Sequence, residues 1–293
     1  MNKFFQLRWL IRMAILASFG LMGCFLWQHV AELRAIEWRS MVKPVALSLL
    51  LYLVALGIQG VVWIRLFVLL IGTPWSWKDV KTYFTTHLMR RLPGAPWYIA
   101  GRAATYRERS PAAAHAALVV SLFEWGGFIL TGLVWAAGGH WGWLGLVLSA
   151  AVLGAVVSLM RSWRWLRRWV PLQRFPLSTL YLTLGGYTLQ WGLAALMLHS
   201  FLRALAPIHT PDLLQTSIIW AISGVVSGLA VFAPAGLGIR ELSLVALLEP
   251  HVGLEAAVLG ALLMRVVFTV GDMLWSLFVS LISLLATSHV DTP

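Results

Sequence analysis

Two stretches of this chain place an arginine just behind a Pro/Gly break in apolar sequence. The first runs Leu92-Pro93-Gly94-Ala95-Pro96-Trp97-Tyr98-Ile99-Ala100-Gly101-Arg102. The second runs Ala233-Pro234-Ala235-Gly236-Leu237-Gly238-Ile239-Arg240-Glu241. Proline removes a backbone donor and glycine admits φ > 0, so a helix stops at each. Backbone groups freed in hydrocarbon are costly unless they line protein or a water-filled cavity. A helix restarting after the break points its first amides into that cavity, and a nearby arginine adds a planar fork of donors. Such a site suits an anion, phosphate above all. Breaks at matching places in two halves of a membrane protein point to a substrate site. The expected substrate-binding residues are therefore Arg102 and Arg240, with Pro93, Gly94, Gly101, Pro234, Gly236 and Gly238 as the helix breaks. The plainer alternative is a pair of tightly packed helix hairpins.

Charges inside apolar sequence are rare and mark a pathway or a pair. Arg65, Glu124, Arg240, Glu241, Arg265 and Asp272 are such charges. Arg265 and Asp272 are seven apart and share a helical face. Glu124 and Arg265 follow the two breaks at similar distances with opposite charge, so they are expected to meet across a pseudo-twofold axis. Glu124, Glu241, Arg265 and Asp272 complete the candidate binding set, balancing charge in an empty site or contacting a cationic headgroup. Arg65 is expected to snorkel to an interface.

The elements that hold these residues must be membrane helices. The chain is 60% hydrophobic and 11% charged, against about 25% charged in soluble domains. Its apolar runs are continuous rather than alternating, which fits helices and not a barrel. Spans are predicted at Trp9–Trp27, Val45–Ile71, Ala112–Ala137, Trp141–Met160, Leu177–Leu202 and Leu254–Leu285. Trp77–Leu92 is mixed and predicts an amphipathic or re-entrant helix before the first break. Leu213–Phe232 enters the second break, and Leu242–Leu248 leaves it. The fold expectation is an all-α polytopic membrane protein of about six full spans plus two re-entrant hairpins in an inverted repeat, or seven to eight spans if a hairpin crosses. It forms a single transmembrane domain over 1–293: a first half to about 160, a basic loop over 161–175, and a second half from about 176.

The formal charge is +11. Seven basic residues lie between Lys78 and Arg109, and five between Arg161 and Arg174. The connections near His140 and between Arg203 and Pro211 carry almost none. The positive-inside rule then predicts cytoplasmic termini in a cell inner (plasma) membrane, with the first hairpin opening to the cytoplasm and the second to the exterior. Tryptophans near span ends, such as Trp75, Trp141 and Trp143, are expected as interfacial anchors.

Several chemistries are not signalled. There is no G-x-x-x-x-G-K-[ST] loop for ATP and no G-x-S-x-G elbow. Neither an H-E-x-x-H motif nor a Cys/His cluster suggests a metal, so no metal and no cofactor are expected. His87 and His115 are isolated and read as packed or solvated residues. A nucleic-acid partner is not expected, because no soluble module presents a basic face.

At the two breaks the chain resembles the transmembrane, flippase-like domain family of lysylphosphatidylglycerol synthases. The resemblance rests on Leu92-Pro93-Gly94 with Gly101-Arg102, and on Pro234 through Glu241, and the order of spans agrees over nearly the whole chain. It implies a stand-alone member without the soluble synthase domain, a lipid-translocation fold with two re-entrant segments, and a membrane lipid as substrate. The expected function is a flippase-like transporter of a phosphate-bearing (glyco- or phospho-)lipid, without its own ATPase. The alternatives are an intramembrane enzyme acting on a lipid phosphate or lipid-linked sugar, and a non-catalytic partner of a glycosyltransferase or lipid synthase. A homo-oligomer is compatible with either.

Overall fold

A computed structural model describes Trp27 and residues 38–91, 96–162, 174–230 and 236–288. Among them every regular element is helical. In chain order these are α1 (Trp38–Ile71), α2 (Trp77–His87) with a 3-10 turn (Leu88–Arg91), α3 (Pro96–Arg107), α4 (Pro111–Gly139), α5 (Gly142–Ser162), α6 (Leu177–Leu205), α7 (Leu213–Leu229), α8 (Gly236–Val252) and α9 (Leu254–Ser288). Four helices are long and apolar enough to cross a membrane: α1, α4, α5 over Gly142–Leu159, and α9 over Leu254–Ser283. The chain is a helical membrane protein. α6 equals α4 in length, at 29 residues each, but its Ser, Thr, Tyr and Gln dilute the apolar run. The first predicted span, Trp9–Trp27, falls outside the described residues except for Trp27. The motif residues Pro93, Gly94 and Pro234 also lie outside them.

Local chemistry sets the helix starts. Asp79 accepts hydrogen bonds from the Ser76 amide (2.7 Å) and hydroxyl (2.8 Å), closing the first turn of α2. Ser110 Oγ accepts from the Ala113 amide at 3.0 Å, and Pro111 fills the first position of α4, where no amide donor is needed. Asp212 caps α7 through the Gln215 amide at 2.7 Å. Gly253, at φ +79°, makes the left-handed turn between α8 and α9 that a side chain would resist.

The helices bury two hydrophobic cores. One contains Trp191, Phe201, Trp220, Leu248 and Met264. The other contains Trp63, Phe67, Tyr83, Tyr106 and Phe175. Each long helix touches both cores, so the cores give its direction. α1 runs from the Trp191 core (Met41) to the Trp63 core (Phe67), whereas α6 runs from the Trp63 core (Leu180) to the Trp191 core (Phe201). α4 starts at the Trp63 core with Ala113 and ends at the Trp191 core with Trp135, while α9 runs from Ala257 to Val279 in the opposite sense.

The short helices behave differently. α2 and α3 both touch the Trp63 core, through Tyr83 and Tyr106. α7 and α8 both touch the Trp191 core, through Trp220 and Leu248. Each pair thus packs on a single core. Hydrogen bonds clasp the two ends: Tyr106 Oη to Asp79 Oδ1 (2.9 Å) in the first pair, and Gln215 Nε2 with His251 Nε2 (3.3 Å) in the second. Packing is reciprocal as well. α4 lies against α7, α9 lies against α2, and α1 lies against α6.

Candidate functional site

Between the two cores lies a layer of polar and charged side chains. Arg102 on α3 is fully buried and pairs with Glu124 on α4, with Nη1 2.5 Å from Oε2. Its Nε donates to Thr86 Oγ1 (3.1 Å), and Nη2 lies 3.4 Å from His87 Nδ1. The guanidinium also sits over the Tyr83 ring, 4.2 Å from its centroid. The other Glu124 oxygen accepts from Gln59 Nε2 (2.7 Å) and Tyr83 Oη (2.9 Å). Both ions are thereby paired and hydrogen-bonded, as a charge at this depth requires.

The second broken segment carries the mirror of this pair. Arg265 Nη1 on α9 donates to Glu241 Oε1 on α8 at 2.7 Å. The expected meeting of Glu124 with Arg265 does not occur. Each reaches a partner within its own half, 22 positions away for Arg102–Glu124 and 24 for Glu241–Arg265. The physical reason is local. α3 packs on α4, and α8 on α9, so the residue just behind each break faces the long helix that follows it. Asp272, on the Arg265 helix, instead accepts from Tyr52 Oη at 2.5 Å and lies 3.9 Å from His87 Nε2.

A cavity of about 70 Å³ opens beside these pairs, several times the room one water needs. Arg90 from the 3-10 turn and Arg240 from α8 both line it, together with Gln59, His87, Gln190 and Trp220. Among the described residues no carboxylate lines it. The Arg240 guanidinium is stacked over Trp220, 3.9 Å from the ring centroid. That of Arg90 lies over Phe128 (5.3 Å) and Tyr98 (5.6 Å). Stacking on aromatic faces stabilises each cation at the cavity wall.

Of the six candidate binding residues, Arg240 reaches this cavity. Arg102, Glu124, Glu241, Arg265 and Asp272 do not line it; Gln59 and His87, which do, contact Glu124 and Arg102. Gly101, read as part of the first break, lies inside α3; a Cβ there would meet Met89 Sδ at 2.5 Å, so its role is close approach. Gly236 opens α8 and Gly238 sits in its first turn. Arg65 is exposed on α1. Sequence reasoning missed Arg90, which it placed in the mixed Trp77–Leu92 helix and counted only among the basic charges that set orientation. The available signal was position: Arg90 lies three residues before Pro93, as Arg240 lies six after Pro234. Trp75, Trp141 and Trp143 are exposed, as anchors would be, but Trp220 is buried at the cavity.

No protein-family model, curated protein or solved structure matches this chain.

Proposed function

We propose that the chain is a flippase-like lipid transporter, and that the cavity between the two broken segments receives the phosphate-bearing headgroup while the acyl chains stay in the bilayer. The observation that carries this reading is the composition of the cavity wall: two arginines, one from each broken half, and no carboxylate among the described residues. Such a wall attracts an anion, and low-dielectric surroundings strengthen the attraction. Arg90 and Arg240 would hold the phosphate from either side, replacing the Arg102–Arg240 couple expected from spacing alone. The Glu124–Arg102 and Glu241–Arg265 pairs keep the surrounding layer near neutrality.

The reading extends to topology. α2–α3 and α7–α8 act as re-entrant hairpins from opposite faces, in an inverted repeat that relates α1–α4 to α6–α9. Opposite helix directions, clasped hairpin ends and reciprocal packing support it. Such repeats supply a site reachable from each side in turn. The Trp63-core face, flanked by the basic connections, is the cytoplasmic one, and the membrane is the cell inner membrane. With the first predicted span added, six full crossings result. Movement is then downhill or ion-coupled, since the sequence carries no phosphate loop for ATP. An enzyme acting on the same lipid draws less support, because Glu124 and Glu241 are each held by an arginine and neither lines the cavity. The basic loop that would recruit a synthase or glycosyltransferase lies mostly outside the described residues.

Reconstitution into liposomes with a fluorescent, phosphate-bearing phospholipid tests the proposal. The expected result is a protein-dependent change in probe accessibility that falls about tenfold or more in Arg240→Ala and in Arg90→Ala, the order expected when a hydrogen bond to a charged group is lost. No protein-dependent change, or full rates in both variants, would contradict it. Release of a cleaved or modified lipid product would favour the enzyme.

A further inference from the structure

His87 reads in sequence as an isolated, packed histidine, yet it stands where the two halves meet. It ends α2 and is 2% exposed, and α2 packs on both α3 and α9. Its Nδ1 lies 3.4 Å from Arg102 Nη2, behind the first break. Its Nε2 lies 3.9 Å from Asp272 Oδ1 on α9, in the second half. Asp272 is itself 1% exposed and accepts from Tyr52 Oη on α1. His87 also lines the cavity read as the headgroup site, and among the described residues it is the one imidazole that does.

The contact with Arg102 sets the tautomer. A guanidinium has only N–H donors, so His87 Nδ1 meets it as an acceptor. The ring proton then sits on Nε2, on the side of Asp272. Arg102 does not depend on this contact, because Glu124, Thr86 and Ser121 also hold it. A proton added to Nδ1 makes both ring nitrogens donors and the ring a cation. The contact with Arg102 then turns repulsive, while the attraction to Asp272 grows. The ring also gains a second N–H to present to an anion in the cavity. The other charged and titratable groups around it are Tyr83 on its own helix, 5.7 Å away between ring centroids, Arg90 on the following turn, Glu124 beyond Arg102, and Arg240 on α8 at the same cavity. Arg90, Arg102 and Arg240 oppose a charged imidazole, and Glu124 and Asp272 favour it. An anion arriving in the cavity shifts that balance towards the protonated ring.

We infer that His87 is a proton-binding site that fills together with the headgroup, so that a proton is the ion coupled to lipid movement. This rests on the headgroup reading and names the ion which that reading leaves open. The step is a proton transfer alone. One proton leaves water for Nδ1 where the lipid enters and returns to water where the lipid leaves. A singly charged headgroup and one proton together carry no net charge, which avoids moving an unbalanced ion through a low-dielectric interior.

The test is binding of radiolabelled dioleoylphosphatidylglycerol to the purified full chain in mixed micelles, from about pH 5.5 to about pH 8.5, either side of the ordinary histidine range. The phosphodiester of this lipid keeps its single charge throughout, so a pH slope belongs to the protein. Wild-type affinity should fall by up to about tenfold per pH unit on the alkaline side, the limit for one linked proton. In weakly buffered solution a pH-sensitive dye should report uptake of up to about one proton per lipid bound, because the linkage is reciprocal. His87→Gln, whose amide still accepts from Arg102 and donates towards Asp272, should give a flat profile and no uptake. The uptake measurement needs the wild type alone, so the inference stays refutable if His87→Gln fails to fold. Lipid binding that ignores pH, or that comes without proton uptake, would overturn the proton site and leave the headgroup reading standing. A slope and an uptake that persist in His87→Gln would rule out His87 as the site, again with the headgroup reading intact. No lipid binding by the wild type at any pH would remove the headgroup reading and this inference with it.

Discussion

The two ion pairs occupy corresponding places yet differ in polarity and in access to solvent. Behind the first break the short helix supplies the cation, Arg102, and the long helix the anion, Glu124. Behind the second the order is reversed, with Glu241 on the short helix and Arg265 on the long one. The side chains of the first pair are 0% and 2% exposed, and those of the second 16% and 15%. Charge order is therefore free to vary so long as each pair closes within its own half. The first pair is sealed by Thr86, Ser121, Gln59 and Tyr83 and acts as a fixed staple. The second is partly open to solvent.

That difference makes ordered predictions. The largest effect should follow from breaking the sealed pair. Glu124→Ala or Arg102→Ala leaves an uncompensated buried charge, at a cost of about 3–5 kcal/mol. Thermal unfolding in detergent should show a large drop or no folded protein. A cost similar to that of the second pair would remove the contrast.

The more accessible pair should be cheaper to break. Glu241→Ala or Arg265→Ala should cost about 1–2 kcal/mol, and raised salt should narrow the gap to wild type, since partly exposed charges are screened.

Next comes a glycine at a close approach between α3 and the turn before it. Gly101→Ala pushes the Met89 thioether aside, because the new Cβ would lie 2.5 Å from Sδ; the flexible end of a methionine yields readily, so the cost should stay at the low end for overpacking, about 1 kcal/mol. Gly126→Ala, with nothing within 4 Å of the new carbon, should instead be neutral or stabilising by up to about 1 kcal/mol. Melting both variants side by side checks the distinction.

The smallest effects belong to the clasps. Tyr106→Phe, which deletes a buried hydrogen bond to Asp79, should cost about 1 kcal/mol. Gln215→Ala, at an exposed contact to His251, should stay within about 0.5 kcal/mol. Equal losses would mean that the two helix pairs are tied alike.

The sequence carried much of the helical plan. The continuous apolar runs and the basic-poor turn near His140 placed α4, α5 and α9 within a few residues, and the end but not the start of α1, which begins at Trp38 and not Val45. The buried charges were also legible as a class, since hydrocarbon leaves them no unpaired alternative. Their partners were not. Whether Glu124 meets Arg102 or Arg265 depends on which helices touch, and spacing fits both. Arg90 was hidden for a related reason. It stands among Lys78, Lys81 and Arg91 in a mixed segment that reads as an amphipathic or re-entrant helix with a basic face, and the turn after α2 brings it to the cavity. His87 carries no motif at all. Its meaning comes from what faces it.

The most direct test of the cavity as the headgroup site is a high-resolution map of the chain in nanodiscs containing phosphatidylglycerol. The account predicts phosphate density between Arg90 and Arg240, within hydrogen-bond reach of both guanidinium groups. Headgroup density confined to the basic connections, with the cavity closed by its own side chains, would contradict it.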